Sequence, residues 1–188
     1  IDSLTITGAG PGPIQTATHF SNSDTAYVGP NATVHFYNQV TGNVMATIKN
    51  LSAFDFGCTQ VDLIRTGTNA IQSWGLSNAE KLAEKAFKIT PANNSPTATY
   101  ELSLYVTADE LAGWLSATGN PGTELNIIKS SADITQNPPA ASPDYSNTNS
   151  NANFGLRGDK VIKATFSGFS WFGLGKTGIS SVCPGSTK

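Results

Sequence analysis

Two histidines, His19 and His35, are the side chains best suited to move a proton or hold a metal near neutral pH, and each stands beside a phenylalanine in a segment that reads as β-strand. A zinc site needs three or four ligands brought together, and the chain has no H-x-x-x-H or C-x-x-C spacing. A serine hydrolase would need a G-x-S-x-G elbow. The nearest string, Ser167-Gly168-Phe169-Ser170-Trp171-Phe172-Gly173, places its serine among aromatics and reads as core strand. Glycoside hydrolysis needs two carboxylates a few ångströms apart. The candidates from Asp55 to Asp159 fall mostly at helix starts or loop edges, where capping and solvation explain them, and no pair stands out. Gly8-Ala9-Gly10-Pro11-Gly12-Pro13 resembles a phosphate loop only in glycine content, since neither a helix nor a Lys-Ser/Thr pair follows it. Asn22 and Asp24 offer loop oxygens of the kind calcium accepts, though in no EF-hand order. No other cofactor and no enzymatic activity are expected.

The scarcity of ionisable groups is itself informative. Lysine and arginine total 11 in 188 residues, and none precedes Lys49. Charged residues make up 13% of the chain, about half the roughly 25% of an ordinary soluble domain. Ser, Thr, Asn and Gly take their place, as on many extracellular β-proteins. Net charge is -2 with the basic residues scattered, which gives no electrostatic footprint for nucleic acid or an anionic membrane. No apolar run approaches the roughly 18 residues of a transmembrane helix. Ile1-Asp2-Ser3-Leu4 does not read as a signal peptide, so a signal removed earlier or excision from a longer precursor is expected. The length suits a single domain over 1–188.

Any functional residue must be positioned by strands. Ala32 to Asn38 and Asn43 to Lys49 alternate with period 2 and flank the turn run Thr41-Gly42-Asn43, which predicts a hairpin. Thr59 to Thr66 predicts a strand with Val61, Leu63 and Arg65 on one face. Lys85 to Thr90, Thr99 to Val106 and Leu125 to Lys129 predict three more. Lys160 to Phe166 and Phe169 to Leu174 predict a late pair joined at Ser167-Gly168. One short helix near 107–116 follows from a capping box with Thr107 as N-cap and Glu110 at N3. Leu111, Trp114 and Leu115 share a face of that helix, and Gly119 ends it. Asn78 to Glu84 allows a second helical turn. The polar, proline-rich segment 137–153 reads as a long surface loop. The fold class expected is all-β: a two-sheet antiparallel β-sandwich, jelly-roll or Ig-like.

Aromatics and cysteines are the remaining candidates for contact and cross-linking. Trp74, in the polar loop Gln72-Ser73-Trp74-Gly75-Leu76, either stacks on a sugar ring or plugs the end of the sandwich. Trp114 reads as core. Of Phe169, Trp171 and Phe172, one must face outward if the strand is regular, and an exposed Trp171 would mark a contact. Tyr27 and Tyr145 are further stacking candidates. In a secreted protein Cys58 and Cys183 would form a disulfide; the alternative is two buried thiols.

The strings Ala32-Thr33-Val34-His35-Phe36-Tyr37-Asn38, Phe54-Asp55-Phe56-Gly57-Cys58-Thr59, Tyr100-Glu101-Leu102-Ser103-Leu104-Tyr105-Val106-Thr107 and Ala164-Thr165-Phe166-Ser167-Gly168-Phe169-Ser170-Trp171 resemble β-sandwich modules of large secreted or cell-surface proteins of Bacteroidota. Such modules often precede a type IX secretion sorting domain. The resemblance covers roughly residues 30–175 and rests on structural rather than catalytic motifs. It implies a secreted, extracellular location and neighbouring domains or identical subunits as partners. Asp2-Ser3-Leu4 and Asp24-Thr25-Ala26 are similar to the Asp-Ser/Thr-apolar pattern O-glycosylated in that phylum, which makes Ser3 and Thr25 candidate glycosylation sites. The function expected is a non-catalytic structural or adhesion module that assembles with its neighbours. The alternative is a carbohydrate-binding module attached to a secreted enzyme.

Overall fold

A computed structural model of the chain describes residues 14–16, 22–68, 70–73, 81–136, 144–145, 148 and 150–176. Two antiparallel sheets face each other across one core. In the seven-stranded sheet the order is β1 (Ser23–Val28), β4 (Gly57–Arg65), β6 (Lys81–Pro91), β12 (Trp171–Lys176), β8 (Asn126–Ser130) and β9 (Asp144–Tyr145), with β5 (Ala70–Ser73) added to β6. In the five-stranded sheet it is β10 (Ser150–Phe154), β11 (Asp159–Ser167), β7 (Thr99–Val106), β3 (Val44–Asn50) and β2 (Thr33–Tyr37). The one α-helix among the described residues, α1 (Ala108–Thr118), continues from β7, and a 3-10 turn at Gly122–Glu124 leads into β8.

The sandwich forms because alternate positions are apolar. Ile48, Leu102, Leu104, Ile162 and Ala164 of the smaller sheet meet Val61, Leu63, Phe87, Ile89, Phe172 and Leu174 of the larger one in a single cluster. An aromatic layer closes one end. Tyr100 stacks on Phe169 with ring centroids 3.8 Å apart, and Phe56 meets Phe169 edge-on at 4.9 Å. The Tyr100 hydroxyl donates to the Gly168 carbonyl at 2.9 Å.

The helix forms as its capping box requires. Thr107 Oγ1 accepts from Glu110 N at 3.2 Å, and Glu110 Oε2 accepts from Thr107 N at 2.8 Å. Gly119, at φ 72, ends the helix in the left-handed conformation, where a residue with a Cβ is disfavoured.

Four sequence expectations are corrected. Lys160–Phe166 and Phe169–Leu174 do not pair with each other. β11 bonds to β7 and β10, while β12 bonds to β6 and β8. Gly168, at φ 65, carries the chain from one sheet to the other, and Phe169 fills the space between them. No helical turn exists at Lys81–Glu84, because these residues begin β6; Asn78, Ala79 and Glu80 lie outside the described residues. Segment 137–153 is not loop throughout. Its end, Ser150–Asn153, belongs to edge strand β10, and Asp144–Tyr145 pairs with β8. Leu115 does not share the buried face of α1: it is 50% exposed, while Trp114 is fully buried.

Both sheets also bury apolar residues on their outer faces. On the larger sheet, Leu82, Ala86, Ile128 and Ile134 form a small cluster. Gly173 leaves room for the Leu82 and Ile134 side chains to cross β12. On the smaller sheet, Ile14, Val44, Tyr105 and Val161 cluster with Tyr37 and Phe154. A bulge between Phe36 and Tyr37 in the β2–β3 register turns Val44 to that outer face. Above Ala46 and Leu104, β3 and β7 no longer pair. There Ile14 bridges to Val44, with Gln15 N donating to Val44 O at 2.9 Å.

Candidate functional site

The end of the sandwich where β3 and β7 part brings together polar side chains from several elements. Antiparallel register brings the β2–β3 turn, the β10–β11 turn and the N-terminus of α1 to this one end. Between them lies an open cleft of ≈ 630 Å³. Thr16, Asn43, Thr68, Thr107, Asp109 and Arg157 line it. Asp109 and Arg157 are exposed, so the cleft offers hydroxyls, an amide and one charge of each sign to a polar partner.

The floor of the cleft is ionic and buried. Lys85 and Glu110 are 2% and 7% exposed. Lys85 Nζ lies 3.2 Å from each Glu110 carboxylate oxygen and donates to the Tyr105 carbonyl at 2.9 Å. Burial pulls the Lys85 ammonium below lysine's usual value, and the charges of Glu110 and Asp159 oppose that shift. Asp159 is also buried, and its Oδ1 accepts from Ala108 N at 2.8 Å, where helix geometry favours an anion. Both buried carboxylates therefore hold the start of α1 in place. Among the described residues, no group of three or more His, Cys, Asp or Glu is arranged to hold a metal ion.

The sequence candidates are dispersed. Trp74, Ser3, His19 and Cys183 lie outside the described residues. So does the side chain of Tyr145, whose backbone belongs to β9. Thr25 is exposed on β1, accessible to modification. Trp171 is the outward member of its aromatic trio, as alternation requires, with Phe169 and Phe172 buried. It packs against the outer cluster of the larger sheet, and Lys88 Nζ sits 5.3 Å from its ring centroid. That cation covers one ring face. Cys58 is an exposed, free thiol on β4, on a position that points away from the core, and its expected disulfide partner Cys183 lies outside the described residues. His35 Nδ1 is 2.7 Å from Thr47 Oγ1, which is 2.7 Å from the Tyr105 hydroxyl. This chain of polar groups crosses three strands of the smaller sheet.

Asn22 and Asp24 already have partners. Asn22 Oδ1 accepts from Gln15 Nε2 and Asn38 Nδ2. Asp24 accepts from Tyr37 N and Gln39 Nε2. Their oxygens stitch the first strand to the β2–β3 turn. The cleft residues Arg157 and Thr68 carry no local sequence signal, because what joins them to the others is strand register rather than spacing along the chain. The capping box at Thr107-x-x-Glu110 was the one local signal pointing there.

The fold and this cleft define an all-β protein built as a two-sheet antiparallel sandwich with a polar loop end. No family model matches the chain, and neither a curated protein nor a solved structure shows significant similarity to it.

Proposed function

We propose that this chain is a non-catalytic module of a secreted or cell-surface protein, of the Bacteroidota kind that its strings resemble, and that it acts in adhesion or assembly through its cleft end. The supporting observation is what stands at the rim. Leu156, at the tip of the β10–β11 turn, is 99% exposed, and Val40, on the β2–β3 turn, is 66% exposed. Both turns are short and anchored in paired strands, so these apolar tips stand on rigid supports beside a cleft of hydrogen-bonding groups. An apolar anchor next to hydrogen-bonding groups is the composition of a contact surface. The low charge of the chain opposes close packing little. Light scattering and negative-stain microscopy on the native protein are expected to show species larger than the monomer. Val40→Asp with Leu156→Asp is expected to return them to monomer without lowering the melting temperature, since neither side chain is buried. A wild-type chain that stays monomeric at high concentration sinks the self-assembly form of this reading.

A second reading, carbohydrate binding, draws on Tyr27. Its ring is 59% exposed and lies against Gly29, where a Cβ would come within 2.8 Å of the ring. The residue stays largely exposed beyond that contact, and the hydroxyl donates to Asp55 Oδ2 at 2.6 Å. A flat aromatic face beside a carboxylate suits a sugar ring. Glycan-array binding that disappears in Tyr27→Ala is the expected result. An array signal unchanged by that substitution removes Tyr27 from the site.

A further inference from the structure

We infer that Lys85 and Glu110 are a self-modification site, where the lysine amine and the glutamate carboxyl condense into an amide that ties β6 to α1. The geometry beneath the cleft carries this bond whether or not the cleft binds a partner.

Two opposite charges held out of water are costly unless every polar atom is satisfied. Here one is not. Glu110 Oε2 accepts from Thr107 N, Thr107 Oγ1 and Lys85 Nζ. Glu110 Oε1 takes no hydrogen bond among the described residues and only faces Lys85 Nζ, at 3.2 Å. Transfer of a proton from the ammonium to Oε1 gives the neutral amine and neutral acid that the attack requires. The Nζ lone pair then attacks Cδ. One further N–H proton passes to Oε1, the C–Oε1 bond breaks, and Oε1 leaves as water. The product is one amide, and no oxidant, metal or co-reactant is consumed. Because both groups are held together in the fold, attack is intramolecular, which raises its effective concentration by orders of magnitude.

The product satisfies what the ion pair leaves unsatisfied. The retained oxygen, Oε2, becomes an amide carbonyl and keeps its bond from Thr107 N, as a glutamine would in a capping box. The remaining N–H keeps its bond to the Tyr105 carbonyl, already 2.9 Å from Nζ. The atom expelled is the one without a hydrogen bond. Burial acts in the same direction by lowering the lysine's proton affinity.

Intact-mass measurement of the unfolded full chain reads the bond directly. The expected mass is one water below the sum of the residues, with a digest giving a branched peptide that joins strand 81–91 to helix 108–118. Lys85→Arg is expected to restore the full mass. Glu110→Gln keeps the cap and presents an amide to the same attack; it should expel ammonia and reach the same final mass as the cross-linked wild type. A wild-type chain of full mass, with Lys85 open to amine reagents once unfolded, overturns the proposal. A deficit that persists in Lys85→Arg, or a Glu110→Gln chain that keeps its full mass while the wild type is one water short, overturns the assignment to this pair.

Discussion

Replacing Trp114 with alanine is expected to lower the stability of the domain by about 3–5 kcal/mol, the range for emptying a buried aromatic site. Trp114 is 1% exposed and is the largest fully buried side chain among the described residues. It is the anchor by which α1 joins the main core. Its indole nitrogen, however, is buried without a hydrogen-bond partner among the described residues. An unsatisfied buried donor carries a desolvation penalty that its removal relieves. Trp114→Phe, which keeps a ring and deletes the donor, should therefore lose only about 1–2 kcal/mol, an ordinary effect for a point substitution. Urea unfolding of the two variants against wild type measures both values. Equal losses would mean that the indole nitrogen is satisfied in solution and that polar bonding, not packing, holds the helix.

The elements legible in the sequence were those specified by neighbouring residues. The β2–β3 hairpin shows strict alternation around a Thr-Gly-Asn turn, and it forms as β2 and β3. In Thr99 to Val106 the alternating Tyr100, Leu102, Leu104 and Val106 meet the main core, while Ser103 and Tyr105 are buried on the outer face. The helix cap needs only Thr107 and Glu110, three positions apart, and both of its hydrogen bonds are present. The errors came where partners are distant. Lys81–Glu84 carries Leu82 and Ala83 at a spacing that helix and strand both allow; pairing with β5 and β12 decides for strand. Nothing local marks Lys85 as buried, because its partner Glu110 lies 25 positions away. Ser150–Asn153 is polar enough to suggest loop, but an edge strand with a solvated face can be polar throughout. The cleft was illegible for the same reason as Lys85: its lining comes from five separate stretches of chain that only strand register assembles. The tyrosine on Gly29 depends on ring placement, which alternation does not specify.

The second large effect runs against local propensity. Gly113 sits inside α1, and in a free helix its replacement by alanine would gain about 0.8–1.0 kcal/mol. In this fold the sign should reverse. A Cβ at Gly113 would lie 1.5 Å from the Thr68 carbonyl oxygen and 2.4 Å from its carbonyl carbon. The obstacle is backbone, so no side-chain rotation relieves it; either α1 or the 66–68 segment must move. Overpacking of this kind typically costs about 1–3 kcal/mol, occasionally more, and here the backbone on both sides is held. On the Thr68 side, a Cβ at Gly67 would meet the Glu84 carboxylate at 1.3 Å. On the helix side, Trp114 fills the core and the Lys85–Glu110 contact fixes the first turn. A net loss of about 2 kcal/mol is expected for Gly113→Ala, the clash outweighing the helix gain. Because Thr68 and Thr107 both line the cleft, the same shift should open its wall. Hydrogen exchange should then show weakened protection at the start of α1 before the β7 amides respond. A Gly113→Ala protein more stable than wild type would mean that the helix does not dock on Thr68, and the cleft would lose the wall that defines it.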